Sequence, residues 1–335
     1  MKVTIVTLNW NGWPDTIDLL NSLIAVEYEP FSVVVIDNAS TDESAEQIEA
    51  WMKKNQATYG VLEAPEGAQA GSVGDIAIIT GKLESGLNFI RSPVNLGFCR
   101  GNNLGLELAF QSGADLAVVL NNDTLVSKGF LTPMVKAVGD NPDVGVVGGV
   151  ITHCSDPSTI WYAGGRFSRF LTNTRVGNGD PVSSLQGVVE PYETEWISGC
   201  MTMIPSWTYE VTKGFSEEYF IWSEEWDHSL RVSQAGFRLM VVPTSRICHK
   251  VGKSLGIMKP LNYYYGVRNG LIFQRKFLPP HLWYPYFCYY LLNRFARFLH
   301  LVLVGRPDLA RAGVAAIRDV IRNKTGIWEA QRRAS

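Results

Sequence analysis

The chain has 335 residues, 46% hydrophobic and 19% charged, enough for one large α/β domain with an appendage or for two domains. Its net charge of -2 hides an asymmetry: residues 268–335 carry twelve Lys or Arg against three Asp or Glu, leaving eighteen basic and twenty-nine acidic side chains in residues 1–267. An acidic body argues against nucleic-acid binding, and a basic, aromatic tail fits an anionic membrane surface better than DNA.

Val3 to Leu8 reads as a buried strand, entered without the charged and apolar regions of a secretory signal. It ends in Asn9-Trp10-Asn11-Gly12, and a helix follows from about Pro14 through Leu23, with Ile17, Leu20, Leu23 and Ile24 on one face. A second strand, Phe31 to Ile36, runs into Asp37-Asn38-Ala39-Ser40-Thr41-Asp42. That acidic cap, with Glu43, Glu46 and Glu49, opens a helix reaching about Lys54. Two strand-loop-helix units in succession predict right-handed βαβ winding and a parallel sheet.

Residues 56–86 loosen into Gly-, Ala- and Pro-containing sequence, a surface insertion in which Asp75 to Thr80 is a candidate strand or hairpin. Leu87 to Arg91 resumes the sheet, followed by a polar loop at Asn95 and a helix to about Gln111. Leu116 to Leu120 is an unbroken aliphatic run that stops at Asn121-Asn122-Asp123, as a strand buried on both faces stops at a working edge. Asn9, Asp37, Asn95 and Asp123 thereby fall at the same end of successive parallel strands. Each alone reads as a turn or cap residue, but four at equivalent positions converge on one crevice.

No G-x-G-x-x-G follows the first strand and no G-x-x-x-x-G-K-[ST] occurs, which removes the main support for dinucleotide-dehydrogenase and P-loop readings. Gly145 to Gly149 reads as a close-packed turn, Trp161 to Asn178 as loop or hairpin, and Thr194 to Ile204 as a strand. Five cysteines (Cys99, Cys154, Cys200, Cys248, Cys288) are odd in number and form no C-x-x-C, so neither a disulfide framework nor a zinc ribbon is expected, and a reducing cytosol fits best.

A second chemical cluster lies in Phe220-Ile-Trp-Ser-Glu-Glu-Trp-Asp-His, which places Glu224, Glu225 and Asp227 at the start of a helix. First-turn carboxylates suit the helix dipole. Flanking aromatics add partial desolvation, which raises a carboxyl pKa towards that of a general base. Phe237 to Val242 is a further strand leading to His249. Paired with an Asp on another loop of the crevice, that histidine would complete an Asp/His site for Mg2+ or Mn2+, its other positions filled by phosphate oxygens and water.

Taken together, Thr4-Ile-Val-Thr-Leu-Asn-Trp-Asn-Gly, Val35-Ile-Asp-Asn-Ala-Ser-Thr-Asp, Asn95-Leu-Gly-Phe-x-x-Gly-Asn-Asn-x-Gly, Leu120-Asn-Asn-Asp-Thr, Glu224-Glu-x-Asp-x-x-x-Arg231 and His249 resemble the ordered motifs of family 2 inverting glycosyltransferases, over about residues 1 to 275. Within that family they are most similar to the rhamnosyltransferase-like branch that acts in bacterial surface polysaccharide synthesis. The resemblance implies a GT-A fold, Rossmann-like with a mostly parallel central sheet. It also implies a dTDP- or UDP-sugar donor, rhamnose being the leading sugar, with a divalent cation and a glycan or polyprenyl-linked glycan acceptor. By the same resemblance Asn9, Trp10, Asp37, Asn38, Asn95, Asn102, Asn121 and Asp123 would line the nucleotide-sugar site. Asp123 and His249 would hold the metal, and Glu225, with Glu224 and Asp227 beside it, would supply the base. Two departures stand out: Asn121 replaces the first carboxylate of the family's Asp-x-Asp motif, and Glu225 replaces the Asp of its Glu-Asp pair.

The expected division is a glycosyltransferase domain over 1–275 and a basic, amphipathic, helical C-terminal extension over 276–335. In Leu282 to Val304 the residues Asn293, Arg294, Arg297 and His300 recur opposite Leu291, Leu292, Phe295, Phe298, Leu299 and Val302. That stripe is too interrupted for a transmembrane helix and suits either packing on the domain or peripheral contact through 277–305 with the inner face of a membrane. Two other readings share the crevice, a non-catalytic nucleotide-sugar or glycan binder and a sugar nucleotidyltransferase. The second lacks its Gly-rich, Arg-containing N-terminal loop here.

Overall fold

The structure is a computed structural model that describes residues 1–55, 61–63, 86–251 and 259–328. Its first strands, β1 (Val3–Asn9) and β2 (Phe31–Asp37), are buried along nearly their whole length, as strands covered on both faces must be. Between them α1 (Trp13–Leu23) carries Pro14 in its first turn, where an intrahelical N–H bond is not required. After α2 (Ser44–Lys54), β3 (Val61–Glu63) pairs in parallel with β4 (Leu87–Arg91). The expected strand at Asp75 to Thr80 lies outside the described residues.

α3 (Gly97–Gln111) follows β4 and lies against β1 with two glycines inward. A Cβ on Gly101 would sit 2.6 Å from Leu8 Cδ1, and one on Gly105 only 2.2 Å from Val6 Cγ1. The glycines therefore permit a helix-to-sheet approach that no larger residue allows, at a propensity cost of about 1 kcal/mol each in a helix interior.

β5 (Leu116–Leu120) is wholly buried and leads through a polar turn to the short β6 (Thr124–Val126) and α4 (Leu131–Gly139). β7 (Val144–His153) comes next. It contains the glycine run expected as a turn. Gly149 is needed for close approach, not for turning: a Cβ there would lie 2.5 Å from the Ser245 carbonyl oxygen.

The chain then forms β8 (Ile160–Tyr162), the hairpin of β9 (Gly165–Phe167) with β10 (Asn173–Arg175), and β11 (Tyr192–Glu193). Of the expected strand Thr194 to Ile204 only β12 (Met201–Pro205) is regular. A turn at Ser198 closes by the Met201 amide donating to its carbonyl at 3.2 Å, so the ladder cannot begin earlier. α5 (Ser206–Thr212), α6 (Glu224–Gln234) and β13 (Arg238–His249) follow, and α7 (Pro260–Phe277), α8 (Pro280–Leu303) and α9 (Pro307–Ile321) complete the order.

The main sheet runs β11-β13-β7-β12-β5-β1-β2-β4-β3, with β6 on β13 and β8 on β7. β5, β1, β2 and β4 are parallel neighbours, whereas β12 is antiparallel to β5. This α/β, mostly parallel sheet gathers the ends of β1, β2, β4 and β5 along one edge, as expected. The order changes direction next to β5, the kind of switch point at which open α/β sheets bind ligands.

Leu271, Ile272 and Phe273 of α7, Trp283 of α8 and Ala316 and Val320 of α9 belong to the same buried apolar cluster as Val3 and Ile5. The core is therefore continuous across residue 275. Polar ties reinforce it: the Tyr264 hydroxyl donates to Asp319 at 2.7 Å, and the Trp328 indole stacks on Tyr264 with centroids 4.3 Å apart. Among the described residues no helix is long and apolar enough to cross a membrane.

Candidate active site

Parallel pairing sets Asn9 beside Asp37 at the ends of β1 and β2. Asn9 Nδ2 donates to Asp37 Oδ1 at 2.8 Å and to Ser40 Oγ at 3.1 Å, while the Thr16 hydroxyl donates to Asn9 Oδ1 at 2.7 Å. Asn38 accepts from the Leu96 amide at 2.8 Å and donates to Asn95 Oδ1 at 3.1 Å and to the Gly97 carbonyl at 3.3 Å. Asn9 and Asn38 thus spend their N–H groups on bracing loops, and Asn95 spends its oxygen the same way. Asn9 and Asn38 are buried, whereas Asn95 is partly exposed and commits only its side-chain oxygen to these bonds.

The other expected residues differ in exposure and in the bonds they already make. Trp10 is 45% exposed, so its ring face is open. Asp37 Oδ2 accepts from the Ser40 amide at 3.1 Å. Asn102 donates to the Phe98 carbonyl at 2.9 Å, while its buried Oδ1 has no protein partner.

Asp123 and His249, far apart in sequence, meet because β6 runs antiparallel to β13 with Thr124 opposite His249. The Lys250 amide donates to the Asp123 carbonyl at 2.9 Å, and His249 Nε2 lies 3.0 Å from Asp123 Oδ1. Lys250 Nζ then bridges Asp15 and Asp18, each at 2.7 Å, and pins the end of β13 to α1. Burial works against a charged His249 ring, but the Cys200 sulfur and the Asp123 carboxylate outweigh it and raise its pKa. Asn121 is partly exposed beside this pair, its amide donating to the Cys200 carbonyl at 3.0 Å. Among the described residues no three His, Cys, Asp or Glu side chains group as a metal cage.

Pairing of β7 with β13 sets Cys248 opposite Thr152 and so brings Cys154, just past the end of β7, near it, and the two are disulfide-bonded with Cα atoms 4.9 Å apart. This corrects the expectation that no disulfide forms. Two cysteines 94 residues apart carry no local signal, and only strand adjacency makes them partners.

The carboxylates of α6 divide sharply. Trp222 and Ser223 precede them with φ of 73° and 74°, a left-handed pair costing roughly 1–3 kcal/mol per residue. Asn269 Nδ2 of α7 holds this strained turn by donating to the Ile221 carbonyl at 2.6 Å and the Trp222 carbonyl at 3.2 Å. Glu225 is partly exposed and accepts the Gly199 amide at 2.6 Å. Burial raises its pKa to about 7, against the opposing pull of that amide and of the Arg175 guanidinium. Glu224 is buried, and desolvation together with the neighbouring Glu225 charge raises its pKa to about 8.

Asp227 differs from both. It has no exposed surface and binds Arg231 Nε at 2.5 Å, Lys276 Nζ at 2.7 Å and the Tyr219 hydroxyl at 3.2 Å. Expected as a member of the catalytic group, it is a buried clamp between α6 and α7, out of reach of an acceptor hydroxyl.

Trp161 and Arg175 were not singled out by sequence reasoning. The Trp161 ring stands edge-on to His249 with centroids 4.7 Å apart, and Arg175 Cζ lies 4.4 Å over the same ring. The Arg-rich hairpin was the one available signal. The Gly199 amide had none, since a backbone donor carries no residue type. Through Gly199 and Cys200 the Glu225 carboxyl connects to Asn121 and so to the Asp123 loop.

Known proteins resemble the chain in sequence and in fold. The chain is 24% identical over 267 residues to an N-acetylglucosaminyl-diphospho-decaprenol L-rhamnosyltransferase of Mycobacterium tuberculosis, covering 75% of this chain and 77% of that protein. It is 20% identical over 190 residues to the dTDP-rhamnosyl transferase RfbF of Shigella flexneri, covering 54% and 61% of the two chains. Among solved structures, the mannosyltransferase PcManGT of Pyrobaculum calidifontis in complex with GDP-Man and Mn2+ superposes with a TM-score of 0.55 at 14% identity, over 96% of this chain and 87% of that one. GalNAc-T7 with UDP, GalNAc and Mn2+ gives 0.54 at 17% identity over 74% of this chain, which spans 44% of that protein. These likenesses establish the GT-A fold. The sequence profile of glycosyl transferase family 2 matches residues 4–187, more than half of the chain, and the chain therefore belongs to glycosyl transferase family 2.

Proposed function

We propose that the protein transfers a sugar, rhamnose first among candidates, from a dTDP- or UDP-sugar to a hydroxyl of a lipid-linked glycan, inverting the anomeric carbon. The observation that carries this reading is the placement of Glu225, partly exposed with a pKa near neutrality, on the Gly199–Cys200 segment whose backbone is hydrogen-bonded to the loop carrying Asp123. The two rhamnosyltransferase relatives support the sugar, and the lipid-linked substrate named for one supports the acceptor class.

Trp10, Asp37 and the free Oδ1 of Asn102 would receive the nucleotide. Asp123 and His249 fit a divalent cation: a hard carboxylate and an imidazole nitrogen stand 3.0 Å apart, both with exposed surface, and oxygen-preferring Mg2+ or Mn2+ takes its remaining ligands from diphosphate and water. Such an ion supplies charge neutralisation to the departing diphosphate. Asn121 can orient that group by hydrogen bonding but brings no charge.

Glu225 as carboxylate accepts the acceptor hydroxyl proton while the oxygen forms its bond to the anomeric carbon. The carbon–phosphate oxygen bond breaks on the opposite face, and its electron pair leaves with the nucleotide diphosphate. Glu224, held protonated at neutral pH, keeps a second negative charge away from Glu225. The exposed apolar and aromatic residues of α8, with the basic excess of the tail, support a peripheral position on the inner face of a membrane, where such an acceptor would be met.

The test is nucleotide diphosphate release from dTDP-rhamnose with Mn2+ and acceptor, for the wild type and Asp123→Ala. The variant should lose metal-dependent donor binding by calorimetry. Donor binding that is equal with and without Mn2+ in both proteins would remove the metal role, and release of inorganic diphosphate from dTTP and rhamnose 1-phosphate would replace the transferase with a nucleotidyltransferase.

A further inference from the structure

α8 and α9 enclose a groove of about 490 Å³ that the chemistry above does not use. That volume lies within the range of small-molecule sites. Leu291 and Phe295 of α8 and Val314 and Ile317 of α9 line it, with Tyr263 of α7 also in its wall. Phe295 and Val314 are 64% and 54% exposed, so apolar side chains face water in a concave surface. Arg294, Arg318 and Arg322 line the same, mainly apolar groove, with Arg318 Nε already 3.3 Å from Asp319 Oδ1. The Arg294 guanidinium is fixed, Nη1 donating to the Tyr263 hydroxyl at 3.1 Å with Cζ 4.6 Å from the Tyr290 ring centroid.

We propose that this groove seats the first isoprenoid units of a polyprenyl-diphosphate-linked acceptor, with its arginines on the diphosphate. The inference rests on the lipid-linked acceptor class proposed above. An apolar trough alone would suit any greasy partner, and an arginine cluster alone any phosphate. The combination matches a molecule in which an apolar chain is joined directly to a diphosphate, because planar guanidinium forks pair with phosphate oxygens. The groove is also mechanically tied to the base. Tyr263 in its wall and Asn269, which holds the turn before Glu224, lie six residues apart on α7, an axial rise of about 9 Å on one rigid helix. Lipid and base are thereby kept in fixed relation.

The experiment measures binding of farnesyl diphosphate, farnesol and inorganic diphosphate to the full chain, with dTDP saturating the donor crevice. Farnesyl diphosphate should bind about ten-fold or more tighter than either fragment, since tail burial and charge pairing act together. Val314→Trp fills the trough from an exposed position, and Arg322→Glu reverses one of its charges. Each should weaken farnesyl diphosphate by about ten-fold while leaving dTDP affinity and the melting temperature unchanged. Inorganic diphosphate binding as tightly as farnesyl diphosphate, or indifference to Val314→Trp, would overturn the proposal. So would loss in Val314→Trp of self-association or of binding to phosphatidylglycerol vesicles with no farnesyl diphosphate binding in the wild type. Sugar transfer to a water-soluble glycan acceptor, followed in parallel, tests the transferase reading separately, because a failed groove leaves that transfer intact.

Discussion

Replacing Glu225 by Gln removes a proton acceptor while keeping the shape of the side chain, and its carboxamide oxygen still accepts the Gly199 amide. Burial carries the native carboxyl from an ordinary 4.5 to about 7. A rise of that size amounts to about 3 kcal/mol against the ionised form, at 1.36 kcal/mol per pH unit. Because the folded state holds this proton more tightly than the unfolded chain, the contribution to stability falls as pH rises from about 4.5 to about 7, and the full deficit is present above that. Gln bears no charge, so Glu225→Gln should be up to about 3 kcal/mol more stable than the wild type near pH 8, the gap closing towards pH 4.5. Activity should move the other way, transfer dropping by roughly 10²–10⁴-fold with donor affinity kept. In the wild type kcat/KM should fall on the acid side with an apparent pKa of about 7. Thermal melts across pH, calorimetry with donor and a nucleotide-release assay measure all three. A variant that transfers within about ten-fold of the wild type refutes the base assignment, and a wild type whose rate is flat between pH 5 and 8 refutes the tuning.

Arg175→Met removes a charge that opposes the rise at Glu225, so the acid limb of kcat/KM should move to higher pH, and an unmoved limb means that Arg175 does not act on the base. Cys154→Ser opens a bond between cysteines 94 residues apart, and the chain-entropy limit for such a loop is about 4–5 kcal/mol. Reductant should lower the wild-type melting temperature and leave the variant unmoved, and five titratable thiols in unreduced, denatured protein would show that the bond does not form. Gly105→Ala would set a Cβ 2.2 Å from Val6 Cγ1; overpacking of this kind destabilises by about 1–3 kcal/mol, read as a lower melting temperature by circular dichroism. An unchanged melt would mean that α3 stands farther from β1.

The parallel half of the fold was legible because its signals are local. Val3–Asn9, Phe31–Asp37 and Leu116–Leu120 are aliphatic runs that stop at short polar residues, and burial on both faces makes such runs continuous. The glycine run in β7 misled because glycine marks both turns and close contacts, and only neighbours such as Ser245 decide between them. Asp227 misled for a related reason. A first-turn acid looks the same in sequence whether it faces an acceptor or, as here, Arg231 and Lys276.

Sequence by itself determined the α/β class, the gathering of polar strand ends along one edge of the sheet, the family and the pair of glutamates that open α6, since each depends on residue type and short spacing. Tertiary structure alone decided which of those polar residues face the crevice. Asn9 and Asn38 brace loops because hydrogen-bond capacity is taken by whichever partner the fold brings nearest. Asp123 meets His249 through the β6–β13 register, and Cys154 meets Cys248 through the pairing of β7 with β13. The near-neutral pKa of Glu225 arises from burial, opposed by the Gly199 amide and Arg175, both distant in the chain, and by the neighbouring Trp226. Desolvation and long-range pairing depend on the packed surroundings of a side chain, and those surroundings exist only in the folded chain.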